Sequence, residues 1–425
     1  MVTIMLMVFG AMLLALTLAD SLVRKLPMTP AVVYLAVGWL TGALIGAPTG
    51  AQLAEQAPAI LMSTELAVLV SLLAVGLRLR VPPTWKAWNV ALLMAGPGMV
   101  VTIVLGTLAA VLLLGLPWPA ALLLASIMAP TDPVLASEVQ IHSQEDRDSV
   151  RLSLTAEGGL NDGSALPAVM LALGLLGLHE LGEGGRDWWL RDLAWPIGGG
   201  ALIGVATGWL LGLALKARLA RGDELARDEL LYVGTVTLAF GLARATQTST
   251  FVVVFAVGAV MLWPLREQGL ARGGEALSER LTAFGARVER LVEGATVLAV
   301  GIALNSVPPT LATLAFGLAL ALVARPLSVL AVVRRGRMTR HQRRLVGWFG
   351  IRGIGSLFYL AFVLEHGVEG PLAQTLMGAA LTAIALSILL HGASATPLMA
   401  TYQTRVRALQ ERRRSRQRPA ADSQD

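Results

Sequence analysis

Apolar residues in this chain neither alternate nor recur as a helical stripe; they come in continuous runs separated by short charged breaks. The runs fall at 2–20, 30–47, 58–77, 89–115, 119–138, 150–178, 193–215, 229–246, 249–265, 291–305, 309–333, 345–364 and 371–400. Most approach the 17–25 residues, roughly, that a helix needs to cross about 30 Å of hydrocarbon. The pattern predicts an all-α polytopic membrane protein with about thirteen transmembrane helices. The eighth, ninth and tenth runs are the weakest. The first run is followed, not preceded, by Arg24 and Lys25, which predicts an outside-to-inside first helix and not a cleaved signal.

Composition agrees. With 55% hydrophobic residues, 15% charged and a mean hydropathy of +0.67, the chain lies outside the range of soluble globular domains. It has no cysteine, which excludes disulfides, thiolate metal sites and cysteine nucleophiles. The net charge of +6 would suggest nucleic acid in a soluble protein, but here the positions of the charges matter more. Threading the runs with the N-terminus outside puts 29 of the 34 Lys and Arg on one side, with Arg186, Arg191 and Arg244 opposite and Arg325 and Arg352 inside helices. That bias predicts a cytoplasmic C-terminus in a bacterial plasma (inner) membrane, lipid contact and no nucleic-acid partner. The basic segment 403–425 reads as a solvated tail or a lipid-binding segment, and no function is assigned to it.

Residues 1–402 form the predicted transmembrane domain. Within it, the groups 89–178 and 309–400 each hold three helices and are offset by seven runs, so they enter the membrane in opposite orientations. The middle helix of each is interrupted by breakers, Ala129-Pro130-Thr131-Asp132-Pro133 in the fifth and Gly350 to Ser356 in the twelfth. Paired breaks in inverted repeats point to a transport site near the midplane, although ordinary Pro and Gly kinks would look the same.

Ionisable residues at bilayer depth cost about 2.5–3.5 kcal/mol each, so each needs a partner, a wet cavity or a task. Asp132, Glu157, Asp162, Arg325 and Arg352 stand out, with Glu65 of the third run a weaker sixth. Asp132 lies where broken backbone dipoles should meet, as a ligand or merely as a cap. Glu157 and Asp162, five residues apart, point roughly 140° apart and need separate partners. Arg325 is the expected counter-ion of Glu157, and helix ends or Arg352 are expected to offset Asp132. Asp162 is left without a permanent partner, and its neutral form then requires a proton or a bound cation. Competition at one carboxylate implies one proton per monovalent cation, and Asn161 beside it adds no second carboxylate. Thr131, Asp132 and Asp162 offer hard oxygen donors suited to Na⁺ or K⁺; so few carboxylates argue against a divalent ion.

The motifs A-P-T-D-P at 129–133, E-G-G-L-N-D-G at 157–163, A-R-P-L-S-V-L at 324–330, G-I-R-G-I-G-S at 350–356 and H-G-A-S-A-T-P-L at 391–398 together resemble the sodium/proton exchanger (NhaP-like) branch of the monovalent cation:proton antiporters. The resemblance implies an antiporter-like fold with crossed unwound helices 5 and 12, a homodimer, and elevator-like movement of a core made of helices 4–6 and 11–13. It also implies Asp162 as the cation and proton carboxylate, Thr131 and Asp132 as co-ligands, Asn161 as an orienting neighbour and Glu157 with Arg325 as a structural pair. The Asn-Asp order implies electroneutral exchange. Where many relatives carry Ser after the helix 6 Glu, this chain has Gly158, so one hydroxyl ligand is missing. No cofactor and no enzymatic activity are implied: the ions are substrates.

Rival readings are a potassium/proton antiporter or other cation transporter, a channel, and an intramembrane aspartyl protease using Asp132 and Asp162. No repeated carbonyl filter supports a channel. The Thr-Asp-Pro and Asn-Asp-Gly contexts do not resemble the protease's Tyr-Asp and Gly-x-Gly-Asp motifs.

Overall fold

The computed structural model describes residues 2–18, 28–79, 84–132, 139, 148–222, 228–266, 271–334 and 336–417, so Pro133 and the rest of 133–138 lie outside the described residues. Among those described, every regular element is helical. In chain order they are α1 (Val2–Leu18), α2 (Pro30–Ile45), α3 (Gly50–Glu55), α4 (Ala57–Arg78), α5 (Trp85–Leu93), α6 (Met99–Leu114), α7 (Trp118–Ile127) and α8 (Ser149–Leu175). Then follow α9 (Gly200–Ala220), α10 (Asp228–Ala245), α11 (Thr250–Met261), α12 (Ala271–Ala303), α13 (Leu311–Ala319), α14 (Arg325–Val332), α15 (Arg340–Trp348), α16 (Ile354–Glu365) and α17 (Gly370–Gln417).

Among the described residues, five continuous helical stretches are long and apolar enough to cross a membrane, and four apolar helices are shorter. These lengths leave the number thirteen as an expectation from the sequence. Leu108, Leu112, Leu202, Leu210, Leu230 and Leu311 stand exposed on the outer surface, which suits a lipid solvent and not water. Of the long apolar stretches, the one within α17 is the most enclosed and that leading into α9 the least.

Several boundaries depart from the hydropathy pattern. α12 starts at Ala271, about twenty residues before the expected tenth span, because its first half is amphipathic and a hydropathy average reads that as a loop. There Arg280 pairs with Asp228, and Glu289 pairs with Arg78. α17 continues past 400 to Gln417, so much of the expected tail 403–425 is helix; Ala, Gln, Glu and Arg favour it, and no glycine or proline interrupts 402–417. Residues 418–425 lie outside the described residues.

Close packing is made by glycine. Along α9, a Cβ on Gly204, Gly208 or Gly212 would collide with the backbone carbonyl oxygens of Val253, Val257 and Met261, so α9 and α11 touch backbone to backbone. Gly76 and Gly258 bring α4 equally close to the other side of α11.

The groups 89–178 and 309–400 share a local irregularity. A π-helical turn at Met94–Gly98 contains Pro97 and joins α5 to α6, and another at Leu320–Ala324 precedes Pro326 and joins α13 to α14. Proline removes a backbone donor, and the ladder widens to accommodate it. In the first turn the Ala95 carbonyl takes the Ser164 hydroxyl of α8 at 2.8 Å, which fastens the kink to the helix carrying Asp162. At one end of this group, Tyr402 of α17 donates to Asp148, the N-cap of α8, at 2.6 Å, and Gln342 of α15 donates to Ser149 at 2.8 Å.

Candidate functional site

α7 ends at Ile127, and residues Met128 to Asp132 leave the helix. The expected twelfth span starts earlier than its apolar run, at Arg340, and is broken between Trp348 and Ile354 into α15 and α16. The two breaks meet. The Asp132 amide donates to the Ile351 carbonyl at 2.8 Å, and the Ile354 amide donates to the Asp132 carboxylate. Arg352 donates to the carbonyl oxygens of Ala129 and Pro130 at 2.7 and 2.9 Å. A carboxylate therefore sits at the N-terminus of α16 and a guanidinium at the C-terminal end of α7, each opposite the partial charge left by an interrupted helix.

A second arginine has the same task on α15. Arg325 is 3% exposed and forms a two-pronged ion pair with Glu157 of α8, one prong at 2.9 Å. It also donates to the carbonyls of Val346 and Phe349 at 3.1 and 3.2 Å, at the C-terminal end of α15. Gly350 makes room, since a Cβ there would lie 2.7 Å from the Arg325 side chain.

Asp162 has a different environment. It is 1% exposed, on α8, and neither carboxyl oxygen meets a protein hydrogen-bond partner. Among the described residues no other buried carboxylate has both oxygens so placed. Its oxygens face Gly355 of α16, where a Cβ would lie 2.5 Å from Oδ1. Next to it, Asn161 donates from Nδ2 to the Thr131 hydroxyl at 2.6 Å, which joins α8 to the break after α7, while its side-chain Oδ1 has no partner. Ser356, next to Gly355 in the chain, has a buried hydroxyl without a partner. An ionised carboxylate surrounded in this way is too costly to persist alone, so the site must be neutralised by something that arrives from outside.

Glu65, the weaker sequence candidate, is occupied: Arg244 of α10 donates to it at 2.6 Å and Thr250 at 3.2 Å. Arg244, which the threading placed on the outer side near the end of the eighth run, neutralises a buried acid. A cavity of about 370 Å³ lies between α4, α12, α16 and α17, lined mostly by apolar side chains with Gln56, Ser63, Thr64 and Thr296; Asp162 is not in its wall.

Three partners escaped the sequence reading. Tyr359 of α16 donates its hydroxyl to the Asp162 backbone carbonyl. His391 of α17 lies 2.9 Å from the Trp348 carbonyl through Nε2 and 3.1 Å from the Ser387 hydroxyl through Nδ1, and that hydroxyl accepts from the Arg352 amide at 2.9 Å. Nδ1 also lies 2.8 Å from the Ser387 carbonyl, and this cluster spans the break in the twelfth span. The signal for Tyr359 was present: one of only four tyrosines, it puts a polar group inside an apolar run.

Comparison with known proteins follows this geometry. A family model described as sodium/hydrogen exchanger, transmembrane, matches residues 10–401. The chain belongs to the sodium/hydrogen exchanger family. It is a multi-pass membrane protein of an exchanger family, not of an enzyme family. Over 161 residues this chain is 32% identical to Na(+)/H(+) antiporter 2 of Zygosaccharomyces rouxii, covering 36% of its own length and 19% of that protein. Over 98 residues it is 34% identical to a Na(+)/H(+) antiporter of Schizosaccharomyces pombe, covering 22% of this chain and 21% of that one. The matches thus span about a fifth of the length of these relatives. The structure of the sodium proton antiporter MjNhaP1 from Methanocaldococcus jannaschii at pH 8 superposes with a TM-score of 0.71 at 18% identity, covering 93% of this exchanger and 98% of that chain. At that identity the likeness shows the fold.

Proposed function

We propose that this chain exchanges a monovalent cation, Na⁺ in the first place, for a proton across the membrane, one for one and without net charge movement. The observation that carries the proposal is the isolation of Asp162: a buried acid with two unpartnered oxygens, beside a glycine, at the junction of two broken helices. Such an acid is stable when protonated or when holding a cation, and the two exclude each other at the same oxygens. Thr131 and Asp132 are co-ligands in this reading, and Asn161 orients Thr131. Glu157, Arg325 and Arg352 hold the broken helices, while Glu65 with Arg244 belongs to the supporting scaffold. The core of residues 89–178 and 309–400 moves against the remaining helices in a homodimer. The basic-residue bias supports a bacterial inner membrane, with the N-terminus outside and the C-terminus cytoplasmic.

The test is a pH gradient imposed on everted vesicles carrying the protein. Adding Na⁺ collapses the gradient, and the rate does not respond to an imposed membrane potential. Potential-driven current, or cation movement with no proton counter-movement, would remove the exchange reading. A series of Na⁺, Li⁺ and K⁺ in the same vesicles separates a sodium from a potassium exchanger, the second reading that the missing hydroxyl at Gly158 keeps in play.

Gly355→Ala probes the space beside the carboxylate. The added methyl displaces the Asp162 side chain at a cost of about 1–3 kcal/mol. The concentration of Na⁺ for half-maximal exchange then rises by about tenfold. Unchanged affinity in a well-inserted variant would mean that the cation does not bind on that side of Asp162.

A further inference from the structure

The helix that carries Asp162 is not continuous in its hydrogen bonding next to that residue. Pro167 lies inside α8, one turn beyond Asp162, and lacks the amide hydrogen that Gly163 would receive. In an unbroken helix the Asp162 carbonyl would accept from the Leu166 amide. Here that carbonyl also takes the Tyr359 hydroxyl of α16, which ties the turn beside the open rung to the broken helix.

Tyr359 is itself held. It is completely buried, and its ring packs edge-on to Phe251 of α11, with centroids 6.3 Å apart, and to Phe358 at 5.0 Å. On the same side, Gly159 and Gly163 of α8 bring the helix against Phe255 and Val252 of α11. One residue therefore bonds the backbone of the ion-carrying acid, belongs to the broken helix whose Gly355 faces that acid, and touches α11 beyond.

We propose that Tyr359 is a positioning residue for the transported ion: by bonding the Asp162 carbonyl next to the rung that Pro167 leaves open, its hydroxyl sets the direction in which the Asp162 carboxylate faces Gly355. This rests on the assignment of Asp162 as the exchange carboxylate. Without the hydroxyl, the Asp162 carbonyl loses its tie to α16, and the carboxylate shifts from its seat.

The measurement is exchange in everted vesicles by the full-length Tyr359→Phe variant, with Asp162→Asn in parallel. The single lost hydroxyl raises the half-saturating Na⁺ concentration about 3- to 10-fold and displaces the pH profile, while the maximal rate stays within about twofold. A merely structural tyrosine would lower the amount of folded protein and leave affinity and pH profile unchanged. Pro167→Ala supplies the second arm: it restores the 163–167 rung next to the Asp162 carbonyl, and the stiffened turn displaces the pH profile by itself. Wild-type affinity and pH profile in Tyr359→Phe overturn the inference. Should Tyr359→Phe not accumulate in the membrane, an unchanged pH profile in Pro167→Ala overturns it. Exchange surviving in Asp162→Asn removes the underlying assignment instead.

Discussion

Asp162→Asn abolishes exchange, by about a hundredfold or more, while the protein still inserts and folds. Asn keeps the volume of the carboxylate against Gly355 but cannot carry the charge that a cation or a proton neutralises. Removing one partner of a buried charge contact costs about 2–5 kcal/mol, which sets the size of the expected loss. Folding is spared because the wild-type carboxylate oxygens have no protein partner to lose. Removing a desolvated acid without a partner should leave the thermal midpoint of the detergent-extracted protein equal or raised. Gradient dissipation by any alkali cation in this variant would end the central role of Asp162.

Arg325→Ala has the opposite profile: stability collapses, and with it the amount of protein in the membrane. The substitution leaves Glu157 ionised and alone at 2% exposure, a situation that costs about 3–5 kcal/mol. It also removes the donor to the Val346 and Phe349 carbonyls that terminate α15. A neutral double replacement, Glu157→Gln with Arg325→Met, loses the cap but strands no charge, so it accumulates and melts closer to wild type than Arg325→Ala alone. Thermal midpoints and membrane yields of the three variants decide the matter; equal damage in the single and the double variant would mean that Glu157 and Arg325 are not energetically paired.

The contrast between these two acids on one helix is legible in the amino-acid sequence. Five residues on a helix place Glu157 and Asp162 on different faces, and that geometry follows from the backbone alone. Legible too are the apolar spans, the two interrupted helices and the arginines stranded at depth, because a bilayer penalises each polar group in proportion to its isolation. Less is readable where a signal averages out. The amphipathic start of α12 looks like a loop, and no local signal on the eighth run tells that Arg244 meets Glu65. The π-helical turns beside Pro97 and Pro326 leave no mark beyond the prolines themselves.

By itself, then, the sequence determined that the chain lives in a membrane, where its helices break, and which ionisable groups must be neutralised. All of these are properties of one helix and its solvent. Only the tertiary structure decided who neutralises whom: that Asp132 caps α16 while Arg352 caps α7, that Arg325 serves both Glu157 and the end of α15, and that Tyr359 bonds the backbone of α8 at Asp162. The physical reason is that a side chain's periodicity fixes the face it occupies on its own helix, whereas its partner depends on which other helix packs there and at what depth. Packing at glycine contacts brings together residues some two hundred positions apart, and no local pattern in the chain encodes that meeting.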